Sequence, residues 1–179
     1  MENIYQQHNP ININARDGII VADPCYESTR LFIAHLNNVL GGKYNTFHSL
    51  SDEGEWGKRV KDLIILHESI SFNNEFLTYF ETNKEYIDEI TVDSGTAGFF
   101  NKKYYLEHHY EDEIDEEWYD EYICKKLNDV DVFDNKCFIS CSGFGDGMYG
   151  VYALYNEDGK IVGAQIEYIE NECEYNDEN

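Results

Sequence analysis

The runs Met148 to Tyr155 and Lys160 to Ile169 flank Asn156-Glu157-Asp158-Gly159, and this one arrangement commits the chain to antiparallel sheet. Asp-Gly supplies the positive φ that a tight hairpin turn needs, while Val, Tyr and Ile suit a pleated surface. A second hairpin has the same logic. Lys43 to Leu50 and Arg59 to Glu68 flank Ser51 to Gly57, an acidic, glycine-containing loop. Gly18 to Asp23 is a short apolar run that Pro24 stops, the pattern of a strand entering a turn. Glu89 to Asp93 reads as a strand running into Ser94 to Gly98, a segment read as a turn too rich in small residues to be core. Leu31 to Leu40 fits helix or strand by its period.

Two segments carry helical periodicity. Asn73 to Tyr86 places Phe76, Leu77, Phe80 and Tyr86 on one face. Asp115 to Leu127 lines up Trp118, Tyr122 and Leu127, with acids early and Lys125-Lys126 late, as the helix dipole prefers. Short strands with about two helices among them, and no regular βαβ alternation, predict a single α+β domain with a largely antiparallel sheet and a C-terminal β-hairpin. Its expected extent is residues 18–169, preceded by a polar arm or edge strand (1–17) and followed by an acidic, disordered tail (170–179).

Composition bounds the function. At 179 residues and 42% hydrophobic content the chain can bury a core without disulfides or metal. A formal net charge of −23 argues against direct binding to nucleic acid or to an anionic membrane. The five cysteines, Cys25, Cys124, Cys137, Cys141 and Cys173, form no CxxC pair, so reduced thiols are expected. With no basic, apolar leader at the amino terminus and no run of membrane-spanning length, a cytoplasmic location is expected. The six histidines are scattered, and no metal site or cofactor is called for.

Three segments break the ordinary alternation of strand and turn. Asp23-Pro24-Cys25-Tyr26 holds an acid, a thiol and a phenol at a strand end. Asp93-Ser94-Gly95 puts an acid before small residues that let backbone N–H groups face a ligand. Ser142-Gly143-Phe144-Gly145-Asp146-Gly147, followed by Met148 and Tyr149, is the densest, with glycines that imply positive φ or close backbone approach. It is neither a dinucleotide fingerprint nor a nucleophile elbow. Either Cys25 or Cys141 could become a thiolate nucleophile beside a histidine.

Taken in order, D-P-C-Y (Asp23 to Tyr26), S-D-E-G-E-W-G-K-R-V (Ser51 to Val60), V-D-S-G-T-A-G-F-F (Val92 to Phe100) and S-G-F-G-D-G-M-Y (Ser142 to Tyr149) resemble a group of bacterial and phage proteins akin to the domain-of-unknown-function 4241 family. The likeness runs from about Gly18 to Ile169. It implies a common architecture and no particular chemistry. Relatives look more like S-Y-P-V-Y where this chain has Met148-Tyr149-Gly150-Val151-Tyr152.

Three functions compete. The first is a non-catalytic binding protein, phage or defence related, holding a small nucleotide-like ligand in a pocket formed by the Asp23, Asp93 and Gly143 to Gly147 turns. Its candidate residues are Asp23, Cys25 and Tyr26; Asp93, Ser94 and Gly95; and Ser142, Gly143, Phe144, Gly145, Asp146, Gly147 and Tyr149, with Tyr26, Phe144 and Tyr149 expected to wall the pocket. The second is an acidic interaction or inhibitor protein that docks on a basic partner through Glu111, Asp112, Glu113, Asp115, Glu116 and Glu117. The third is a hydrolase in which Asp23, Asp93 and Asp146 share a divalent cation. Binding is favoured, because no complete set of nucleophile, base and orienter can be named.

Overall fold

The computed structural model describes residues 4–26, 32–110 and 113–170. In chain order, strands β1 (Tyr5–Ile13), β2 (Ile19–Ala22) and β3 (Ala34–Leu36) lead into the hairpin β4 (Gly42–Asp52) and β5 (Lys58–His67), joined through a 3-10 turn at Gly54–Trp56. Helix α1 (Asn74–Asn83) precedes β6 (Glu85–Val92) and β7 (Thr96–Asn101). Helix α2 (Lys102–Glu107), a small ladder of β8 (His109–Tyr110) and β9 (Glu113–Ile114), and a π-helix (Glu117–Cys124) come next. The last strands are β10 (Val130–Phe133), β11 (Cys137–Cys141), β12 (Gly147–Tyr155) and β13 (Ile161–Glu167).

Alternation of side chains sorts these strands into two facing sheets. One has six strands in the order β1-β4-β5-β13-β12-β6, the other five in the order β10-β11-β7-β2-β3, and every strand pairing within them is antiparallel. β2 shows why both faces are covered. All four of its residues are buried: Ile19 and Val21 point between the sheets, Ile20 and Ala22 toward the opposite side. The inter-sheet core joins Ile11, Leu63, Ile65 and Val151 to Ile19, Val21, Phe99 and Phe138. Helix α1 covers the outer face of the larger sheet by seating Phe80 among Phe47, Ile64 and Leu154. Helix α2 and the π-helix cover the smaller sheet, setting Tyr104, Tyr105, Trp118 and Ile123 over Ile20, Phe100 and Ile139. The result is a single α+β domain of four layers.

The two anticipated hairpins form, with β12 and β13 joined through the Asn156 to Gly159 turn. Helix α1 begins where Asn73 accepts the Phe76 N–H, at 2.8 Å. Tyr86 does not continue it: that residue lies in β6 and is exposed. Leu31 to Leu40 resolves as the short strand β3 over its described part. Ser94 to Gly98 is not wholly a turn, since Ala97 and Gly98 are buried inside β7. β7 lies between β11 and β2, and a Cβ at Gly98 would sit 2.3 Å from the Phe138 carbonyl oxygen. Small residues there permit close packing of strands. The second helix is wound as a π-helix that buries Trp118 and Ile123 and leaves Tyr122 half-buried. The amino-terminal segment supplies β1, an edge strand paired with β4, while residues 171–179 lie outside the described residues.

Candidate functional site

The three turns singled out in the sequence do meet. The fully buried Asp23 carboxylate accepts four hydrogen bonds: Oδ1 from the Cys25 N–H (2.9 Å) and the Ser94 hydroxyl (2.7 Å), Oδ2 from the N–H groups of Asp93 (2.9 Å) and Ser94 (2.8 Å). Gly95 O then accepts the Ser142 N–H at 2.9 Å, and Gly147 pairs with Val92. Within the glycine loop the Ser142 hydroxyl donates to Gly145 O (2.7 Å), and the Tyr149 hydroxyl lies 2.7 Å from the same oxygen. Gly143 and Gly145 take positive φ, 50° and 104°.

These contacts join turn to turn. Both Asp23 oxygens are committed to the protein's own donors, as buried carboxylates require. Burial, followed by the hydrogen bond with Asp23, pushes the half-buried Cys25 thiol up to about 12, which disfavours a thiolate; burial likewise raises the Cys141 thiol. The three expected wall rings separate. Tyr26 packs under the α2 layer, Tyr149 packs between the sheets, and Phe144 is exposed with the Arg59 guanidinium 6.0 Å from its ring. Asp93 and Asp146 are exposed, and among the described residues no group of three or more His, Cys, Asp or Glu is placed to hold a metal ion.

Glu111 and Asp112 lie outside the described residues. Glu113, Asp115, Glu116 and Glu117 are all exposed ahead of and within the π-helix. Asp115 also works locally: Oδ1 accepts the Trp118 N–H (3.1 Å) and Oδ2 faces His108 Nδ1 (3.1 Å). Those hydrogen bonds, the backbone one foremost, hold its carboxyl below the usual range.

At the other end of β2, away from the Asp23 turn, a furrow follows helix α2. It consists of three adjoining clefts. One of 370 Å³ is lined by Arg16, Lys102 and Leu106; one of 250 Å³ by Asn101, Tyr104 and Lys136; the two share Asp17, Lys103 and Glu107. The second shares Tyr104 with a cleft of 320 Å³ walled by His108, Trp118 and Tyr122 and by the carboxylates of Asp115, Glu117 and Asp134. Local chemistry fixes this furrow. Asp134 and Asn135 both take positive φ (53° and 52°), the requirement of the tight β10–β11 hairpin turn. The Asp134 carboxylate then accepts the hydroxyls of Tyr104 (2.7 Å) and Tyr122 (2.8 Å), and the Trp118 indole N–H donates to the Tyr104 oxygen (3.0 Å). Burial opposes ionisation of Asp134, but the two hydroxyls and the Lys136 charge outweigh it and lower its pKa. His108 stacks on Trp118 at 4.6 Å, and Lys136 Nζ lies 5.2 Å over the Tyr104 ring.

A family model described as "Protein of unknown function (DUF4241)" matches residues 16–166. The chain belongs to the DUF4241 family. No curated protein and no solved structure matches it. The segment shared with DUF4241 begins at Arg16 and takes in the three converging turns and every lining residue of the α2 furrow except Asn14.

Sequence reasoning did not find the furrow of this DUF4241 chain. Arg16, Lys102-Lys103 and Lys136 are far apart in sequence, and each reads as an ordinary surface cation. One signal was available in Asp134-Asn135, a dipeptide suited to a turn with two positive φ angles, which would have brought Lys136 back toward Asn101. Two further buried groups lie away from the furrow. On the outer face of the larger sheet Asp62 is buried, its Oδ2 accepting the Tyr5 hydroxyl (3.1 Å) and its Oδ1 unpartnered. In β4 the buried His48 shares a hydrogen bond with His8, 2.7 Å between Nδ1 and Nε2.

Proposed function

We propose that the protein is a non-catalytic binding protein that holds a small, nucleotide-like ligand in the furrow along helix α2. The observation that carries this reading is the continuity of the three clefts through shared lining residues, Lys103 and Tyr104 among them. Small-molecule sites are concavities of about 300–1,000 Å³ with apolar or aromatic walls and a few convergent polar groups. The furrow has that character: Tyr104 and Trp118 supply rings, and Asp17, Asn101 and Lys136 supply polar ends. The converging turns at Asp23, Asp93 and Gly143 to Gly147 act in this reading as the brace at the far end of the sheet. Titration of isotope-labelled protein with ATP, AMP and adenosine tests it. Saturable shifts confined to the amides around Lys103, Tyr104 and His108 are expected, and no saturable shift with any of the three probes overturns the proposal.

A second reading rests on its own observation, the run of exposed carboxylates at Glu113, Asp115, Glu116 and Glu117. In it this face docks on a basic protein surface. Binding of an oligo-arginine peptide should then weaken steeply with added salt and with Glu116→Lys and Glu117→Lys. Salt-insensitive binding removes it.

A further inference from the structure

We infer that the Arg16 end of the furrow is an anion site that takes the phosphoryl groups of the ligand, an inference that rests on the binding reading above and adds the ligand's charge and direction. The chain carries 36 Asp and Glu against 13 Lys and Arg, so a cation placed at random on its surface has carboxylates for neighbours. Yet Arg16, Lys102, Lys103 and Lys136 gather along two adjoining clefts in which Asp17 and Glu107 are the lining carboxylates. None of the four cations forms an ion pair with a described residue. Set against Asp17 and Glu107, the four cations leave a local surplus of positive charge, on a molecule whose net charge is −23.

The backbone beneath these side chains is fixed by three cross-links. The Asn12 N–H donates to Asn135 O (2.7 Å), the Asn101 N–H to Lys136 O (2.7 Å) and the Lys102 N–H to Gly18 O (3.2 Å). Segments from three parts of the chain are thus held together, and each contributes charge or the support for it. Gly18 is needed where it stands, with φ 81° and a would-be Cβ 2.7 Å from Leu36 O. Holding like charges close costs free energy unless anions neutralise them, and Asp17 and Glu107 relieve that cost only in part. At physiological salt the screening length is about 8 Å, so an anion in the cleft senses these four cations more than the acids elsewhere.

Charge number and geometry select the ligand class. Net of Asp17 and Glu107 the four cations leave a surplus of two positive charges, more than a monocarboxylate neutralises and suited to a di- or triphosphate, with Arg16 able to bind two oxygens side by side and each lysine acting as a point charge. Asp17 and Glu107 then accept hydrogen bonds from hydroxyl or amino groups, as a phosphorylated sugar or nucleotide presents. The cleft beyond Tyr104, where Asp115, Glu117 and Asp134 line the wall with the rings, repels phosphate and receives the uncharged, hydrogen-bond-donating part of the molecule.

The test uses ATP, adenosine and inorganic pyrophosphate as probes, measured by calorimetry on the wild-type chain and on Lys103→Glu, Lys136→Glu and the double variant. Both lysines are exposed, and thermal melts confirm that the variants fold. ATP should bind more tightly than adenosine, and each substitution should weaken ATP and pyrophosphate on the order of tenfold and adenosine by much less. Pyrophosphate binding that the variants abolish, without adenosine binding, supports the anion site and identifies free polyphosphate as its source. Adenosine binding as tightly as ATP, or ATP binding unmoved by the variants, overturns the anion site and leaves the binding reading intact. Absence of saturable binding for all three probes overturns both.

Discussion

Asp23 and Ser94, 71 residues apart, are joined by two hydrogen bonds, the Ser94 N–H donating to Asp23 Oδ2 at 2.8 Å and its hydroxyl to Oδ1 at 2.7 Å. The carboxylate thereby closes the end of β2 onto the start of β7. Asp23→Ala would strand buried N–H groups, each costing about 1–3 kcal/mol, and should destabilise the fold by roughly 4 kcal/mol. Asp23→Asn keeps one acceptor oxygen and should cost less. Urea unfolding of both variants checks this, and a loss below about 1 kcal/mol for the alanine variant contradicts the bracing role.

Two glycines should respond very differently to the same substitution. At Gly98 a Cβ would overlap the Phe138 carbonyl at 2.3 Å, whereas at Gly145 nothing lies within 4 Å and only the φ of 104° opposes a side chain. Gly98→Ala should prevent folding or cost more than about 3 kcal/mol, and Gly145→Ala should cost about 1–2 kcal/mol through backbone strain. Equal melting temperatures for the two variants would contradict this packing.

Stability against pH should reveal two opposed groups. Burial raises the Asp62 carboxyl from 3.8 to about 6, so the fold favours its neutral form; that contribution is complete below about pH 4 and is lost as pH rises through 6. Burial lowers His48 from 6.5 to about 4, so its contribution is complete above pH 6.5 and is lost as pH falls toward 4. Between pH 4 and 6 the two slopes partly cancel. Asp62→Asn should raise stability at pH 7 by about 2 kcal/mol and leave it falling more steeply on acidification. His48→Gln removes the opposing slope and should leave stability rising on acidification from pH 6 to 4, by about 2 kcal/mol from Asp62 alone. Unfolding free energies at pH 4, 5, 6 and 7 decide both.

Thiol chemistry should rank by exposure. Cys124 is exposed, Cys25 and Cys141 are half-buried and Cys137 is fully buried, its thiol pushed far up by that burial. In native protein carrying Cys173→Ser, iodoacetamide should label Cys124 first and Cys137 last, and all four should label after denaturation without reductant. Peptide mass mapping over time reads the order. A missing label after denaturation would reveal a disulfide.

Much of the scaffold was readable because its signals are local. The β12–β13 turn carries Asp158-Gly159, and Asn73 announces α1 through its cap. β7 was misread in part because Gly98 looks like a turn residue when its neighbour strand is unknown; only the approach of Phe138 explains it. The turns at Asp23, Asp93 and Gly143 to Gly147 share a legible position at strand ends, whereas the donors that the Asp23 carboxylate meets do not show in the sequence, because Ser94 reaches it only through the fold. The cationic clefts escaped for the same reason. Charge density is a property of three dimensions, and Arg16 and Lys136 come to adjoining clefts only once the end of β1, in the larger sheet, meets β7 and the β10–β11 turn of the smaller one.

The sheet order also governs how the protein can be made. β13 lies between β5 and β12, so the six-stranded sheet cannot close until Ile161–Glu167 has left the ribosome. At translation speeds of about 5–20 residues per second, β5 waits on the order of ten seconds for that partner, its row of backbone donors and acceptors open on one side. The nascent chain is therefore exposed to pairing with other chains from the emergence of β5 to that of β13, and a holding chaperone would have its greatest value over that interval.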